Sequence, residues 1–368
     1  MPSAASSKCL AIAAQDESGV LAKFEIERRT LGPRDVKVSI KYCGMCHSDL
    51  HQIRGEWGDS KYPMVPGHEI VGLVEAVGEQ VTSFTVGNKV GVGVFVDSCR
   101  NCANCRLGDE QYCTGNADVP SATFTYNFKL PDGTLVQGGY SNTIVVDEGY
   151  VLHIPENLPL DAAAPLLCAG ITVWSPFVHY GVRSHHAVGV VGLGGLGHMA
   201  VKFAVAMGCK VVVISTSPKK ESLAKHELGA DGFMVISDEE SKAKSLRTLD
   251  FIIDTVSAQH KLQDYLPFLK TNGTYILVGI PAKPYDLHAG DLLMSRLKIG
   301  GSIVGGIKET QDMLHFCGRH GIVSMIEKVP ASYANKAMAR LEKNDVKFRF
   351  VLDIAETLSE TSPEVEKA

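Results

Sequence analysis

The chain has 368 residues, 45% of them hydrophobic and 21% charged, with a formal net charge of −5. That is a globular composition with enough chain for about two domains, and it carries no basic stripe or polybasic run to engage nucleic acid or an anionic membrane. No stretch reaches the roughly 18 unbroken apolar residues of a membrane helix, the opening residues 1–8 lack the apolar core of a secretion signal, and ten cysteines in such a chain point to a cytoplasmic, metal-binding protein rather than a disulfide-bonded one.

Residues 8–42 alternate apolar and polar groups in short runs, broken at Gly19 and at residues 31–33. Val36, Val38 and Ile40 recur at period two and predict a half-buried strand. Directly after it come Cys43, Cys46, His47, Ser48, Asp49 and His51, a dense run of thiols, hydroxyl, carboxylate and imidazoles. Gly67, His68 and Glu69 follow. Taken one at a time, Cys46 and the later Cys168 read equally well as buried thiols, and His68 as a hydrogen-bonded core histidine. Residues 71–78 and 89–94 predict further strands, whose glycines signal bulges or close backbone approach. This opening part is β-rich and loop-rich.

Cys99, Cys102, Cys105 and Cys113 then bring four thiolates within reach of one tetrahedral ion. A closed four-thiolate site leaves no position for substrate. Its expected role is structural, pinning a lobe of about residues 97–115 that lacks a core of its own. Paired CxxC knuckles of a nucleic-acid ribbon stand about 15–20 residues apart, farther than the spacing between Cys105 and Cys113. Residues 114–140, with Pro120, Pro131, Asp132, Gly133, Gly138 and Gly139, read as a long surface excursion. From Leu160 onward the texture changes. Asp161 is placed to cap a helix through Leu167, with Cys168 within it or just after it.

Residues 187–191 predict a strand, and Gly192, Gly194, Gly195, Leu196 and Gly197 carry a GxGxxG turn. An apolar helix is expected from His198 to Met207, and a second strand over 209–214. Inside a complete βαβ unit this motif reads as a dinucleotide fingerprint. Gly192 allows the tight turn, Gly194 lets the backbone approach a pyrophosphate, and Gly197 permits close packing of helix on strand. Strands over 250–254 and 273–278 extend the parallel sheet. The end of the second strand selects the cofactor. An NAD site places a carboxylate there for the ribose hydroxyl, whereas this chain reads Ser215, Thr216, Ser217, Pro218, Lys219, Lys220 before its first acid, Glu221. Hydroxyls and ammonium groups favour a 2′-phosphate, hence NADP(H). Residues 299–306 return to the glycine-rich texture of the opening, 349–353 predict a closing strand, and the acidic residues 355–368 are expected to fray.

Together these pieces resemble the zinc-containing medium-chain alcohol dehydrogenases, most of all their cinnamyl-alcohol-dehydrogenase-like branch. Residues 42–52, 62–69, 167–172, 192–197 and 345–351 carry the resemblance, which runs from Lys8 to Asp353. It implies an α/β chain with a GroES-like β-rich catalytic domain plus a Rossmann doubly wound parallel sheet. The composition shifts place the catalytic domain at 1–157, the dinucleotide domain at 158–296 and the return with an acidic tail at 297–368. The resemblance also implies two zinc ions, one structural at the four cysteines and one catalytic on Cys46, His68 and Cys168 with an open fourth position. Ser48 and His51 are then a proton relay, Asp49 orients the ligand histidine, and Glu69 pairs with Arg349 or reaches the zinc. His47 stands where many relatives place an arginine against the pyrophosphate, and Thr172, Val278 and Arg349 are further cofactor candidates. Trp57, Phe95 and Ile303 are candidates for the substrate wall. The implied activity is reversible hydride transfer between NADP(H) and a primary alcohol/aldehyde pair, aromatic or medium-chain aliphatic, in a homodimer. A non-catalytic dinucleotide- and zinc-binding descendant is the alternative; it should have lost a ligand or the relay hydroxyl, and Cys46, His68, Cys168 and Ser48 are all present.

Overall fold

The structure is a computed structural model describing residues 7–368; most of the opening stretch weighed as a targeting segment, residues 1–6, lies outside the described residues. The chain forms two compact units, Met1–Cys168 with Gly305–Ala368, and Ala169–Val304. In the first, β1 (Ser7–Ala14) and β2 (Leu21–Arg28) form an antiparallel hairpin. The strands β3 (Asp35–Gly44), β4 (Ile70–Val77) and β5 (Lys89–Val92) pair in that order, each antiparallel to the next. Short strands β6 (Phe95–Asp97) and β7 (Thr123–Phe124) make a separate ribbon. Next come β8 (Thr143–Asp147) against β3 and β9 (Leu152–His153) against β5. The period-two pattern of β3 has its expected consequence: Val36, Val38 and Ile40 are buried, while Lys37, Ser39 and Lys41 are half-buried on the other face.

The second unit is one six-stranded parallel sheet. Its strands are β10 (Ala187–Val191), β11 (Lys210–Ser215), β12 (Gly232–Val235), β13 (Leu249–Asp254), β14 (Leu269–Leu277) and β15 (Lys298–Gly301), in spatial order β12-β11-β10-β13-β14-β15. All five residues of β10 are buried, as a central strand covered on both faces requires. The strand order reverses between β10 and β13, the position at which open parallel sheets place a ligand beyond their carboxyl ends. The chain then returns to the first unit through the helix Ile307–His320, β16 (Ile326–Pro330), the helix Ala334–Glu342 and β17 (Arg349–Asp353). β17 is buried throughout and joins β16 to β3.

Four expectations shift. The helix after the glycine turn is Gly195–Ala206 rather than 198–207, because the last glycines of the motif already form its first turn. Asp161 sits inside the first turn of the helix Leu160–Ala163, whose cap position is Pro159, and Cys168 follows a tighter 3₁₀ turn, Ala164–Leu167. The glycine-rich stretch from Ile299 is still sheet: Lys298–Gly301 pairs parallel with β14, so the return comes after Val304. Finally, the acidic tail is tied down. Glu366 N–H donates to the Ser332 carbonyl at 2.8 Å, and Asn335 Nδ2 and Lys336 Nζ also hold Glu366. Ordinary composition rules miss such docking because it depends on the surface the tail meets.

Candidate active site

Three side chains from three separate stretches of the first unit converge. Cys46 lies at the start of the helix His47–Ile53, immediately after β3; His68 stands just before β4; Cys168 ends the 3₁₀ turn at the unit boundary. Cys46 Sγ is 4.0 Å from Cys168 Sγ, and His68 Nε2 is 3.2 Å from the same sulfur. A tetrahedral zinc at about 2.3 Å from sulfur and about 2.0 Å from nitrogen would set these edges near 3.8 and 3.5 Å. A Glu69 oxygen also lies within 4.8 Å of the other three donors. The donor set and its spacing therefore fit such an ion.

Asp49 organises this cluster from beneath. It is fully buried; one oxygen lies 3.1 Å from His68 Nδ1 and accepts the Gly67 N–H at 3.1 Å, and the other accepts the Cys46 N–H at 2.9 Å. Holding Nδ1 against a carboxylate leaves Nε2 to face the sulfurs. Burial pulls the His68 pKa down, but the charge and hydrogen bond of Asp49 together with Cys46 outweigh it and leave the imidazole well above its ordinary value. Two tyrosines that sequence reasoning missed complete the setting. Tyr140 donates its hydroxyl to Asp49 at 3.3 Å, and the Tyr126 ring stacks on His68 with 5.9 Å between centroids.

Glu69 is also fully buried and accepts from Arg349 Nη2, so the resting ion pair expected for it is formed. Its other oxygen has no hydrogen-bond partner among the described residues. Burial pushes the Glu69 carboxyl up to about 7, against the opposing pull of Arg349. Arg349 is thus engaged deep in the first unit with only 4% of its surface exposed. Ser48 Oγ accepts from the Cys46 thiol at 3.7 Å. His51, one turn on, sits on the exposed side of the same helix, its Nδ1 2.5 Å from Glu56 Oε2 and its ring 5.5 Å from that of Trp57. Glu56 is a third residue the sequence did not flag, since it lies beyond the helix end in an irregular turn. His47 is largely enclosed, and that burial lowers its pKa.

The four cysteines of the lobe also converge, with all four sulfurs within 4.8 Å of one another and Cys99 Sγ 3.9 Å from Cys105 Sγ. Backbone amides point at the sulfurs: Cys102 N–H toward Cys99, Cys105 N–H toward Cys102, and Cys99 and Gly115 N–H toward Cys113. Such donors favour thiolate. The amides of Cys105 and Thr114 hold the Cys102 thiol down at about 5.

In the second unit the glycine turn joins β10 to its helix. Gly192 has φ +84°, a left-handed conformation that disfavours any side chain, and a methyl on Gly194 would meet nothing within 4 Å, so an approaching ligand has room there. A methyl on Gly197 would collide with the Gly192 carbonyl. Ser215 ends β11, with Thr216 and Ser217 next. Ser217 caps the turn Pro218–Lys220, and Lys220 Nζ donates to the Leu193 carbonyl at 2.8 Å, bringing the hydroxyl-and-ammonium stretch onto the glycine turn. Thr172 is buried in the helix Ala169–His179, and Val278 follows β14 with its N–H on the Asp254 carbonyl.

Residues 32–156 match the sequence family described as the alcohol dehydrogenase GroES-like domain, and residues 195–319 the family described as zinc-binding dehydrogenase. A probable mannitol dehydrogenase from Fragaria ananassa is 53% identical over 347 residues, covering 94% of this chain and 95% of the relative. The chain belongs to the zinc-containing medium-chain alcohol dehydrogenases. Within that family its structure is close to a cinnamyl alcohol dehydrogenase from Sorghum bicolor, with a TM-score of 0.91 and 46% identity over 96% of this chain and 100% of the other. The CAD of Helicobacter pylori, solved in complex with NADP(H), has a TM-score of 0.87 at 39% identity, covering 96% of this chain and 99% of its own. This alcohol dehydrogenase carries the expected GroES-like and parallel-sheet parts, and among its described residues no single helix is long and apolar enough to cross a membrane. Its three wall candidates are placed differently from one another. Trp57 is 51% exposed beside His51, Phe95 is buried on β6 with its ring edge-on to Tyr150, and Ile303 is 43% exposed in the second unit.

Proposed function

We propose that this alcohol dehydrogenase is a zinc-dependent, NADP(H)-linked reductase of aromatic or medium-chain aliphatic aldehydes, reversible toward the primary alcohol. The convergence of Cys46, His68 and Cys168 on one point is the observation that carries the reading. When bound, zinc on these three donors supplies Lewis acidity and NADP(H) supplies the hydride. The protein's own part is to hold donors and move a proton. Asp49 fixes the His68 ring and the Cys46 backbone, so the donor geometry is set before substrate arrives. Ser48, its hydroxyl 3.7 Å from the Cys46 sulfur, hands a proton toward the product oxygen. His51 replenishes it from the solvent side, with Glu56 steadying the imidazole. Glu69, held by Arg349, keeps a carboxylate oxygen in reserve beside the donors.

The four-cysteine cluster is proposed as a second, structural zinc site. Ser215, Thr216, Ser217 and Lys220 are proposed to recognise the 2′-phosphate. A cytoplasmic setting is supported by ten cysteines without a single disulfide. A homodimer is supported by β15, which ends the parallel sheet, and by the apolar side chains exposed near it, Leu293 at 77% and Met294 at 86%.

The test is kcat/KM for cinnamaldehyde, benzaldehyde and mannose with NADPH and NADH side by side. A preference for NADPH above about tenfold, roughly 1.4 kcal/mol, with aryl aldehydes ahead of mannose, is the expected result. Mannose ahead of the aldehydes would move the enzyme to polyols, as the Fragaria relative's name suggests for that protein. Equal use of NADH would remove the 2′-phosphate reading.

A further inference from the structure

The carboxyl end of β13 holds a charged group that none of the steps above uses. Asp254, the last residue of that strand, is fully buried, and its Oδ2 accepts from His260 Nε2 at 2.8 Å and from the Tyr275 hydroxyl at 3.0 Å. Its Oδ1 accepts the Val256 N–H at 3.1 Å. His260 therefore folds back over the loop that leaves the strand. Its other nitrogen, Nδ1, lies 2.9 Å from the Ala258 carbonyl. Both ring nitrogens thus face acceptors. Only the imidazolium has two N–H groups to serve them, because neutral imidazole has one.

The loop pinned in this way, residues 255–260, is the neighbour of the glycine turn. Thr255 donates from its N–H and its hydroxyl to the Val191 carbonyl, at 3.1 and 2.8 Å, just before Gly192. A methyl on Gly192 would come within 2.6 Å of Val256 Cγ2, and one on Gly279 would collide with the Val256 carbonyl. The loop fills the space between the ends of β10 and β14, at the strand ends where a dinucleotide is expected.

We propose that His260, as an imidazolium clipped between Asp254 and the Ala258 carbonyl, is a positioning residue that holds this loop in its dinucleotide-binding shape and releases it when the proton is lost. The inference rests on the dinucleotide reading of Gly192–Gly197. The groups around the ring are Asp254 on β13, whose Oδ2 Tyr275 on β14 shares, Tyr265 and Tyr285 set edge-on to it with the Tyr285 hydroxyl 3.4 Å from Nε2, and Asp264, whose charge acts on it. Burial pushes Tyr265 and Tyr285 up to about 12 and Tyr275 higher still, so all three stay neutral while His260 titrates. The hydrogen bond to Asp254 leads the interactions that raise His260 above its ordinary value, so the clip persists past the point where an exposed histidine would deprotonate.

The experiment is calorimetric titration of the zinc-loaded enzyme with NADP+ from about pH 6 to about pH 9, a range that brackets a raised histidine, for wild type and His260→Gln. The ratio of variant to wild-type Kd should fall from about fivefold at the acid end, the size of one hydrogen bond, to about one at the alkaline end. The kcat of the variant at saturating cofactor should stay within about twofold of wild type, since no reacting atom is touched. Amide exchange over residues 255–260 of the wild type, corrected for intrinsic rate, should accelerate over the same range while β10 does not. This reading needs no variant. A pH-independent Kd ratio, or loop exchange that tracks β10, would overturn the clip while leaving the cofactor site intact. A wild type that binds no NADP+ at any pH would overturn the dinucleotide reading and the clip with it.

Discussion

The Asp49 carboxylate lies 3.1 Å from His68 Nδ1 and at the same time accepts the Cys46 N–H at 2.9 Å, so one buried acid sets the position of two of the three convergent donors. Asp49→Asn keeps the shape and removes the charge. The expected cost is about 10–100-fold in zinc affinity at the three-donor site, with the four-cysteine site unaffected. Competition with a chromophoric chelator reads both sites in one titration. Equal retention by variant and wild type would mean that Asp49 only supports the fold.

Cys168→Ala separates the two proposed metal sites. Its sulfur faces both Cys46 and His68, whereas the four lobe cysteines form their own cluster. Elemental analysis of the purified variant should find one zinc per chain where the wild type has two, together with loss of turnover. Cys102→Ser should do the reverse, losing the lobe zinc first and lowering thermal stability. Two zinc ions remaining in Cys168→Ala would refute the ligand assignment.

The stretches most legible in the sequence are those fixed by local rules. The period of β3, the βαβ unit around Gly192–Gly197 and the tight spacing of the four cysteines each follow from short-range chemistry. What was not legible depends on contacts made at long range. Tyr140 reaches Asp49 across ninety-one positions, and Tyr126 stacks on His68 from a loop whose composition says only that it is a loop. Glu56 meets His51 because the chain turns after Ile53, which no periodicity encodes. The sheet identity of Lys298–Gly301 is hidden because two glycines in four residues read as a turn until the neighbouring strand is in place. His260 is silent for the same reason: its partner Asp254 ends a strand, and the loop between them has no pattern.

Ser48→Ala removes the hydroxyl 3.7 Å from the Cys46 sulfur without altering the donor set. A relay role predicts a fall in kcat of about 10²-fold or more, with the KM for aldehyde little changed and full zinc retained. His51→Gln should cost less, because solvent water can take over its exposed end of the relay, and Glu56→Gln less again. Stopped-flow measurement of NADPH oxidation at saturating substrate ranks the three. A Ser48→Ala enzyme with wild-type kcat would remove Ser48 from the chemistry.

Lys220 lies exposed at the surface, where partial desolvation lowers its pKa while its ammonium group donates to the Leu193 carbonyl in the glycine turn. Lys220→Ala should lower the NADPH-to-NADH ratio of kcat/KM by about tenfold, the order of one charged contact to phosphate. Ser215→Asp should go further, since a carboxylate repels the 2′-phosphate and can accept from a ribose hydroxyl. If both variants keep the wild-type ratio, the cofactor preference is set elsewhere.

Arg349 and Glu69 join the last strand of the chain to the segment entering β4, and neither side chain has meaningful access to water. Removing one charge of such a pair leaves the other buried and uncompensated, at about 3–5 kcal/mol. Arg349→Met, which keeps much of the volume, should therefore lower the urea midpoint strongly. Adding Glu69→Gln to it should recover part of that loss, because the stranded carboxylate is gone. The comparison also separates structure from chemistry. If Glu69 serves only to anchor Arg349, the double variant regains activity in step with stability. If its unpartnered oxygen acts beside the metal donors, stability returns and kcat does not.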